Sequence, residues 1–225
     1  MGDNDEKDYY EVRYIIIGDS AVGKTNIIYR FIKGEFNNEL ESTIGVDFLS
    51  KNIKKDDIIL KLQLWDTNGM EKFKSIRQNY YKNAACAIIV YDITNEKSFK
   101  SINDWIEECK NNAYNENLII ILVGNKTDLS DQRKITEEEG ESLGNKYNMR
   151  FYESSALTGY NINTIFNESS DMIYELIKNP NGKEYKGITK KKGIVDQIDD
   201  LNSSLEIGLN RFVDRDNNSS SCCFH

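Results

Sequence analysis

Residues 18–25 have the composition and spacing of a phosphate-binding loop. They read Gly-Asp-Ser-Ala-Val-Gly-Lys-Thr, with four residues between the two glycines. In such a loop the glycines permit a tight turn, backbone N–H groups surround phosphate, and the following helix N-terminus adds partial positive charge. Lys24 can reach the β- and γ-phosphates, and the Thr25 hydroxyl can ligate Mg²⁺. The segment predicts a nucleoside triphosphate held by Asp19, Ser20, Ala21, Val22, Gly23, Lys24 and Thr25.

A second group of polar residues follows a strand-like apolar run at 60–65. Asp66 opens the tetrapeptide Asp-Thr-Asn-Gly, which ends at Gly69. An acid at the end of a strand beside a phosphate loop can hold Mg²⁺, usually through a water molecule. The backbone N–H of Gly69 can then contact a γ-phosphate. This spacing is a weak signal by itself and gains weight from its place after the phosphate loop.

A third group predicts which base the nucleotide carries. Residues 125–128 read Asn-Lys-Thr-Asp and follow the apolar run 118–123. The carboxylate of Asp128 can only accept hydrogen bonds, so it matches N1–H and the exocyclic amine of guanine and rejects adenine, whose N1 is an acceptor. Asn125 can bond N7 or tie its loop to the phosphate loop. The stem of Lys126 can pack on the ring.

Ser155 and Ala156 complete the predicted base pocket. They follow the last short apolar run, where a backbone N–H can meet guanine O6. Taken alone, the tetrapeptide at 125–128 is equally typical of a polar turn. Four motifs in one order, each after a predicted strand, favour a guanine-nucleotide site instead.

These motifs are separated by short apolar runs that alternate with amphipathic stretches. The apolar runs predict strands at 12–17, 46–53, 58–65, 84–91, 118–123 and 150–153. Apolar residues three or four apart predict helices at 24–33, 96–112, 135–147 and 162–177. This alternation favours an α/β domain with a mostly parallel sheet.

The pattern stops near Lys178. Residues 179–182 hold the only Pro, which is a turn signal, and residues 183–192 then carry five Lys against one Glu. We therefore predict one domain over 10–178 and a flexible tail over 179–225.

Composition excludes several other classes of protein. The single His is His225, so catalysis by a buried His or a His metal cluster is nearly excluded. The four Cys form no C-x-x-C pair, so neither zinc nor a disulfide framework is supported, which is typical of a reducing, cytosolic protein. The net charge of -8 opposes a broad nucleic-acid interface. No apolar run approaches the roughly 20 residues of a membrane-spanning helix.

Together these motifs resemble the small GTPases of the Ras superfamily, and specifically the Rab family. The Rab-like segments read IGVDF, KLQLWDT, YY and VYDITN at 44–48, 61–67, 80–81 and 90–95. The resemblance covers residues 10–178 and the final four. It implies the P-loop NTPase fold of small GTPases, a mostly parallel six-stranded sheet with helices on both faces. Residues 34–45, together with residues 25–31, are similar to the recycling-endosome Rab subfamily.

The resemblance also implies roles for residues and partners. Thr43 matches the switch I threonine that ligates Mg²⁺ and touches the γ-phosphate, and Phe36 matches the aromatic that packs on guanine. Residues 39–48 and 69–81 would be the two switches that bind effectors. The implied ligands are GTP, GDP and Mg²⁺. A monomer would meet an exchange factor, a GTPase-activating protein, a GDP-dissociation inhibitor and a prenylation escort protein, and would cycle between the cytosol and the cytoplasmic face of endosomal or Golgi-type membranes.

Three residues depart from the family pattern. Met70 stands where the family has the Gln that orients the attacking water, and Met offers no O or N for that task. This predicts slow GTP hydrolysis and a bias towards the GTP-bound form, unless a GTPase-activating protein supplies the missing group. A GTP-bound scaffold that does not cycle is the alternative. Leu40 replaces the usual Tyr, and Asn68 replaces Ala. A nucleoside kinase is disfavoured by the base pocket and the lack of an Arg-rich lid.

The last four residues are Cys222, Cys223, Phe224 and His225. They resemble the C-C-x-x ending of Rab proteins, in which both Cys are geranylgeranylated, and two lipid chains give stable anchoring. A reactive, disordered end is the alternative. Cys86 and Cys109, in a predicted strand and helix, are expected to be structural.

Overall fold

The computed structural model describes residues 6–37, 47–66, 81–113, 117–180 and 185–194. Its strands are β1 Glu6–Ile17, β2 Asp47–Lys55, β3 Ile58–Asp66, β4 Cys86–Asp92, β5 Ile119–Asn125, β6 Arg150–Glu153 and β7 Ile188–Ile194. Its α-helices are α1 Lys24–Lys33, α2 Glu96–Lys100, α3 Ile102–Asn112, α4 Glu137–Lys146 and α5 Ile162–Lys178, and a 3-10 helix covers Thr127–Gln132.

The strands form one sheet in the order β2-β3-β1-β4-β5-β6, with β7 also paired to β1. The pairs β1–β3, β1–β4, β4–β5 and β5–β6 are parallel, whereas β2–β3 and β1–β7 are antiparallel. The predicted α/β fold with a mostly parallel sheet is confirmed, with seven strands in place of six. The carboxyl ends of the parallel strands lie at one edge, where ligands bind in open α/β sheets.

Hydrophobic layers cover both faces of the sheet. Along β1, Tyr14 and Ile16 face one layer, which also holds α1 and α5, and Ile15 and Ile17 face the other. Every residue of β4 is buried, which explains why its sequence is apolar up to the last residue, Asp92. No helix in the described ranges is long and apolar enough to cross a membrane.

Two helices show how local sequence sets their ends. Helix α4 begins with the capping box of Thr136 and Glu139, in which each residue's side chain accepts a hydrogen bond from the other's backbone N–H, at 3.2 and 2.8 Å. The single helix predicted over 96–112 is observed as α2 and α3, with Ser101 between them. The Ser101 hydroxyl shares its one proton between the Asp19 carboxylate, at 2.9 Å, and the carbonyl of Lys97, at 3.1 Å, and the second, local bond competes with regular helix.

Strand β7 corrects the expectation of a flexible tail for residues 188–194. It pairs with residues 6–12 of β1. Strand β1 therefore begins before the predicted domain boundary at residue 10. The Arg13 N–H donates to the carbonyl of Gly187 at 2.9 Å, while the Arg13 carbonyl accepts from the N–H of Ala85 at 2.9 Å. Strands β7 and β4 thus meet end to end along one side of β1. The rest of the predicted division into 10–178 and 179–225 stays a prediction.

One lysine of β7 forms an ion pair with an acid of β1. The Lys190 ammonium lies 2.6 Å from Asp8 and 6.0 Å from the centre of the Tyr10 ring. Such cross-strand pairs join segments that are far apart in sequence, which is why a local reading of a Lys-rich stretch missed the strand.

Candidate nucleotide-binding site

Four loops meet at the carboxyl edge of the sheet. The phosphate loop follows β1, Asp66 ends β3, residues 125–128 begin at the end of β5, and residues 154–156 follow β6. The predicted motifs therefore share one edge, because parallel strands bring their carboxyl ends together.

The phosphate loop is held in a conformation that requires its glycines. Gly18 has φ 139°, and a Cβ there would lie 2.2 Å from the carbonyl oxygen of Val90. Gly23 has φ 97°, and its Cβ would lie 2.4 Å from Nδ2 of Asn125. No side chain caps the N-terminus of α1, and its first turn has no acid. This arrangement favours an anion at the helix N-terminus.

Lys24 spans this loop from the first turn of α1. It is buried, and its ammonium donates to the carbonyls of Gly18 at 2.8 Å and Asp19 at 2.7 Å. The ammonium is thereby fixed beside the loop's backbone amides. A positive charge with little access to water interacts strongly with a bound phosphate.

The predicted magnesium ligands on the described residues are brought together. Asp66 is buried at the end of β3, opposite Ile16 of β1, and its Oδ2 accepts a short hydrogen bond from the Thr25 hydroxyl. Mg²⁺ prefers oxygen ligands and keeps several waters and phosphate oxygens, so one carboxylate and one hydroxyl form a fitting partial ligand set.

Asn125 joins three loops. Its Nδ2 donates to the carbonyl of Val22 at 2.9 Å, and its Oδ1 accepts from the N–H of Ala156 and the hydroxyl of Ser154, both at 3.3 Å. Of the two roles expected for Asn125, the structure shows the tie to the phosphate loop. The base loop and the phosphate loop consequently form one unit.

The carboxylate expected to recognise the base is exposed and oriented. Asp128 accepts from the buried Ser155 hydroxyl at 2.5 Å, while its own side chain remains open to solvent. Ser155 was predicted for its backbone, so this side-chain role is a feature that sequence reasoning missed. An exposed, oriented acceptor suits a ligand edge that carries N–H donors.

Sequence reasoning also missed Asp92, at the end of β4. Its Oδ2 lies 2.8 Å from the Lys126 ammonium, and its Oδ1 accepts from the N–H and hydroxyl of Thr94. Burial pushes the pKa of Asp92 up, but the hydrogen bonds from Lys126 and Thr94 outweigh burial and hold the pKa below its usual value. Lys126 has φ 73°, and this ion pair helps to hold that left-handed backbone. The sequence feature that could have identified Asp92 is its position as an acid directly after the apolar residues of β4.

A second ion pair supports the loop after β6. Both Nη atoms of Arg133 bond the buried carboxylate of Glu153, at 2.5 and 2.7 Å, and Asn161 donates to the Glu153 carbonyl at 2.9 Å. Glu153, the last residue before the loop that contains Ser155 and Ala156, is thus held in place.

The remaining predicted residues divide into two groups. Phe36 follows α1 and packs partly against the hydrophobic layer there, and its contact with a base stays a prediction. The others lie outside the described residues: Leu40, Thr43, Asn68, Gly69, Met70, Cys222 and Cys223.

Comparison with known proteins places this arrangement in a family. The Ras family model matches residues 13–175. The chain is 44% identical over 171 residues to Ras-related protein Rab-11B of Dictyostelium discoideum, covering 76% of this chain and 77% of the relative. It is 41% identical over 179 residues to GTP-binding protein ypt3 of Schizosaccharomyces pombe, covering 80% and 83%, and 40% identical over 173 residues to Ras-related protein Rab11B of Nicotiana tabacum, covering 76% and 79%.

The matched stretch contains all four loops at the carboxyl edge of the sheet, and the relatives agree with the subfamily resemblance of residues 34–45. The chain therefore belongs to the Ras family and, within it, to the Rab small GTPases.

Proposed function

We propose that this chain is a switch that binds GTP and GDP with Mg²⁺, hydrolyses GTP, and recruits effectors in vesicle-mediated membrane traffic. The observation that carries the proposal is the bond from Asn125 to Val22, since it fixes the loop ending at Asp128 against the loop that contains Lys24. Asp128, as a hydrogen-bond acceptor for a base, and Lys24, as a cation for phosphates, are therefore held by two loops that are bonded to each other. Membership of the Rab GTPases supports the role in membrane traffic.

The phosphates would be bound by the loop amides and the Lys24 ammonium, and Thr25 and Asp66 would hold Mg²⁺, with Thr43 as a further ligand. When bound, Mg²⁺ neutralises charge on the phosphate oxygens. Phosphoryl transfer depends mainly on positioning and electrostatic stabilisation. The buried Lys24 and the fixed loop amides supply both, so a His base is not needed.

Asp128→Asn is the sharpest test of base recognition. Asn keeps one acceptor and gains two donors, so it matches xanthine, which has a carbonyl where guanine has an exocyclic amine. We expect GDP affinity to fall by about a hundredfold, because a hydrogen bond to a charged group is lost and the Asn amide donor also opposes the guanine amine, and affinity for xanthosine diphosphate to rise. Asp131→Asn, an exposed change in the same 3-10 helix, should alter neither affinity. A wild-type preference for adenine nucleotides would refute the proposal.

Met70 favours slow hydrolysis. Without the usual Gln, no side chain at this position can orient the attacking water, so we propose that the GTP-bound form persists. A scaffold that does not cycle is the second candidate, and the same residue favours it. Single-turnover GTP hydrolysis of the wild type and Met70→Gln tests the idea, and equal rates would refute it. Acceleration of the wild type by cell extract would support a cycling switch whose activating protein supplies the missing group.

Cys222 and Cys223 are proposed to carry geranylgeranyl groups that hold the protein on endosomal or Golgi-type membranes. By family membership, the partners are effectors, an exchange factor, a GTPase-activating protein, a GDP-dissociation inhibitor and an escort protein. Cys86 and Cys109 are buried, and burial raises the pKa of both thiols, so they are poor acceptors for lipid. In cells, Cys222→Ser/Cys223→Ser should be cytosolic, whereas Cys109→Ser should stay on membranes. A double variant that remains on membranes would contradict the assignment.

A further inference from the structure

The side chain of Asp19, the second residue of the phosphate loop, is bound by the helical segment after β4. Its Oδ1 accepts from the indole Nε1–H of Trp105 at 2.9 Å, and its Oδ2 accepts from the Ser101 hydroxyl at 2.9 Å. Trp105 is 9% exposed and lies on α3, and Ser101 directly precedes that helix. These contacts join residues that are 86 and 82 positions apart in the sequence.

The backbone of the same residue is bound from the other side. The Asp19 carbonyl accepts from the Lys24 ammonium at 2.7 Å. Asp19 consequently links two structures, with its carboxylate fixed to α3 and its carbonyl fixed to the cation expected to bind phosphate. A displacement of α3 would therefore move the loop at the point where Lys24 is oriented.

The loop needs such external support because its own backbone is strained. Ala21 has φ 63°, which is unfavourable for a residue with a side chain, whereas Gly18 and Gly23 adopt their positive φ angles without that penalty. Conformations of this kind persist when surrounding contacts hold them. Two hydrogen bonds to a carboxylate are strong contacts of this type.

We propose that Trp105 and Ser101 are positioning residues that hold the phosphate loop in its binding conformation and thereby slow nucleotide release. The inference rests on the proposed binding of GDP and GTP. Neither residue needs to touch the nucleotide, since both act through Asp19. Loosening the carboxylate lets the loop amides and Lys24 leave the geometry that binds phosphate, so bound GDP dissociates faster.

The test is the rate of release of a fluorescent GDP analogue from the full-length chain with Mg²⁺ present. Trp105→Phe keeps an aromatic ring and removes the N–H, and Ser101→Ala removes the hydroxyl. We expect Trp105→Phe to speed release by about tenfold, as for a lost hydrogen bond to a charged group, and the double variant to speed it further. Ile106→Val is the matched control, because it removes a buried methylene from the same helix.

Thermal unfolding of each variant separates positioning from general stability. Ile106→Val should lower the unfolding temperature and leave release unchanged. The inference is wrong if Trp105→Phe and Ser101→Ala both release GDP at the wild-type rate. It is also wrong if Ile106→Val speeds release as much as Trp105→Phe does at an equal loss of unfolding temperature.

A readout without nucleotide separates this inference from the proposed function. The chain has two Trp, so Trp65→Phe leaves the indole N–H resonance of Trp105 alone in the spectrum. Adding Asp19→Asn should shift that resonance, because the N–H loses a charged acceptor. An unshifted resonance would refute the contact even if GDP binds. A wild type that binds no guanine nucleotide would refute the proposed function, and with it the role in release, while the shift would still verify the contact.

Discussion

Gly187→Ala should release β7 from the sheet and leave the domain folded. Gly187 has φ 81°, and a Cβ there would lie 2.4 Å from the backbone N of Ala85 and 2.5 Å from the carbonyl oxygen of Asn83. The left-handed conformation alone costs an L-residue roughly 1–2 kcal/mol. The clash adds to this, since the Ala85 N–H is bonded to β1 and cannot retreat without breaking that bond.

The side-chain contribution to the docking of β7 is small. Its ion pair, Lys190 with Asp8, is between partly exposed side chains, and such pairs contribute roughly 0–1 kcal/mol. Of its residues, Ile188 packs partly against the core, whereas the lysines of the strand are exposed. Undocking β7 relieves the whole strain at Gly187 and removes little of the two hydrophobic layers. We therefore expect local undocking and not global unfolding.

Trypsin provides the assay, because Lys190, Lys191 and Lys192 are potential cleavage sites within β7. Gly187→Ala should be cut there several times faster than the wild type, with thermal unfolding of the remaining domain little changed. Gly193→Ala is the matched control in the same strand, since its Cβ would meet the Tyr9 ring at 3.3 Å and its φ is not in the left-handed region. Equal protection of Gly187→Ala and the wild type would refute the reasoning, as would equal cleavage of both glycine variants.

Three further predictions concern single polar groups. Tyr91→Phe should leave the free energy of unfolding unchanged or raise it, because the Tyr91 hydroxyl is buried and has no hydrogen-bond partner among the described residues. Tyr14→Phe should lower the free energy of unfolding by about 1 kcal/mol, since the Tyr14 hydroxyl donates to a serine of α5 at 3.0 Å. Denaturant titration compares the two variants. Asn125→Asp should weaken GDP binding at least tenfold by calorimetry, because it replaces the amide donor to the phosphate loop by a carboxylate that repels the same carbonyl. The pKa of Asp92 is held low, so the stabilisation from its ionised carboxylate is present at neutral pH and is lost as pH falls below about 4. The free energy of unfolding, measured between pH 7 and 3, should therefore decrease more steeply for the wild type than for Asp92→Asn.

The parts of the site that sequence predicts are those encoded by local spacing. The glycines at 18 and 23 fix the loop, and Lys24 and Thr25 follow within the same turn, so eight consecutive residues carry the whole signal. Asp66 is identified in the same way, by its place at the end of an apolar run. The capping box of α4 is local as well. In each case neighbouring residues determine the backbone, and the fold then brings the motifs together at one edge.

The parts that sequence did not predict depend on distant pairs. The hydrogen bond from Trp105 to Asp19 joins residues 86 positions apart, and no local sequence pattern near either residue predicts it. Ser101 lies within the helix predicted over 96–112, yet its hydroxyl shares its proton between Asp19 and the Lys97 carbonyl, and the predicted helix divides there. For β7, the register with residues 6–12 depends on Gly187 fitting beside the start of β4, which only the assembled sheet defines.

Strand β7 also changes how a lipid anchor would act. β1 runs towards the phosphate loop and β7 runs the opposite way, so Ile194 lies beside Glu6 at the end of the sheet away from the nucleotide site. If Cys222 carries the proposed prenyl group, 28 positions separate it from Ile194 (222 − 194), against 44 from the end of α5 (222 − 178). At full extension these segments span about 95 Å and about 150 Å. Docked β7 therefore shortens the greatest distance between domain and membrane by roughly a third.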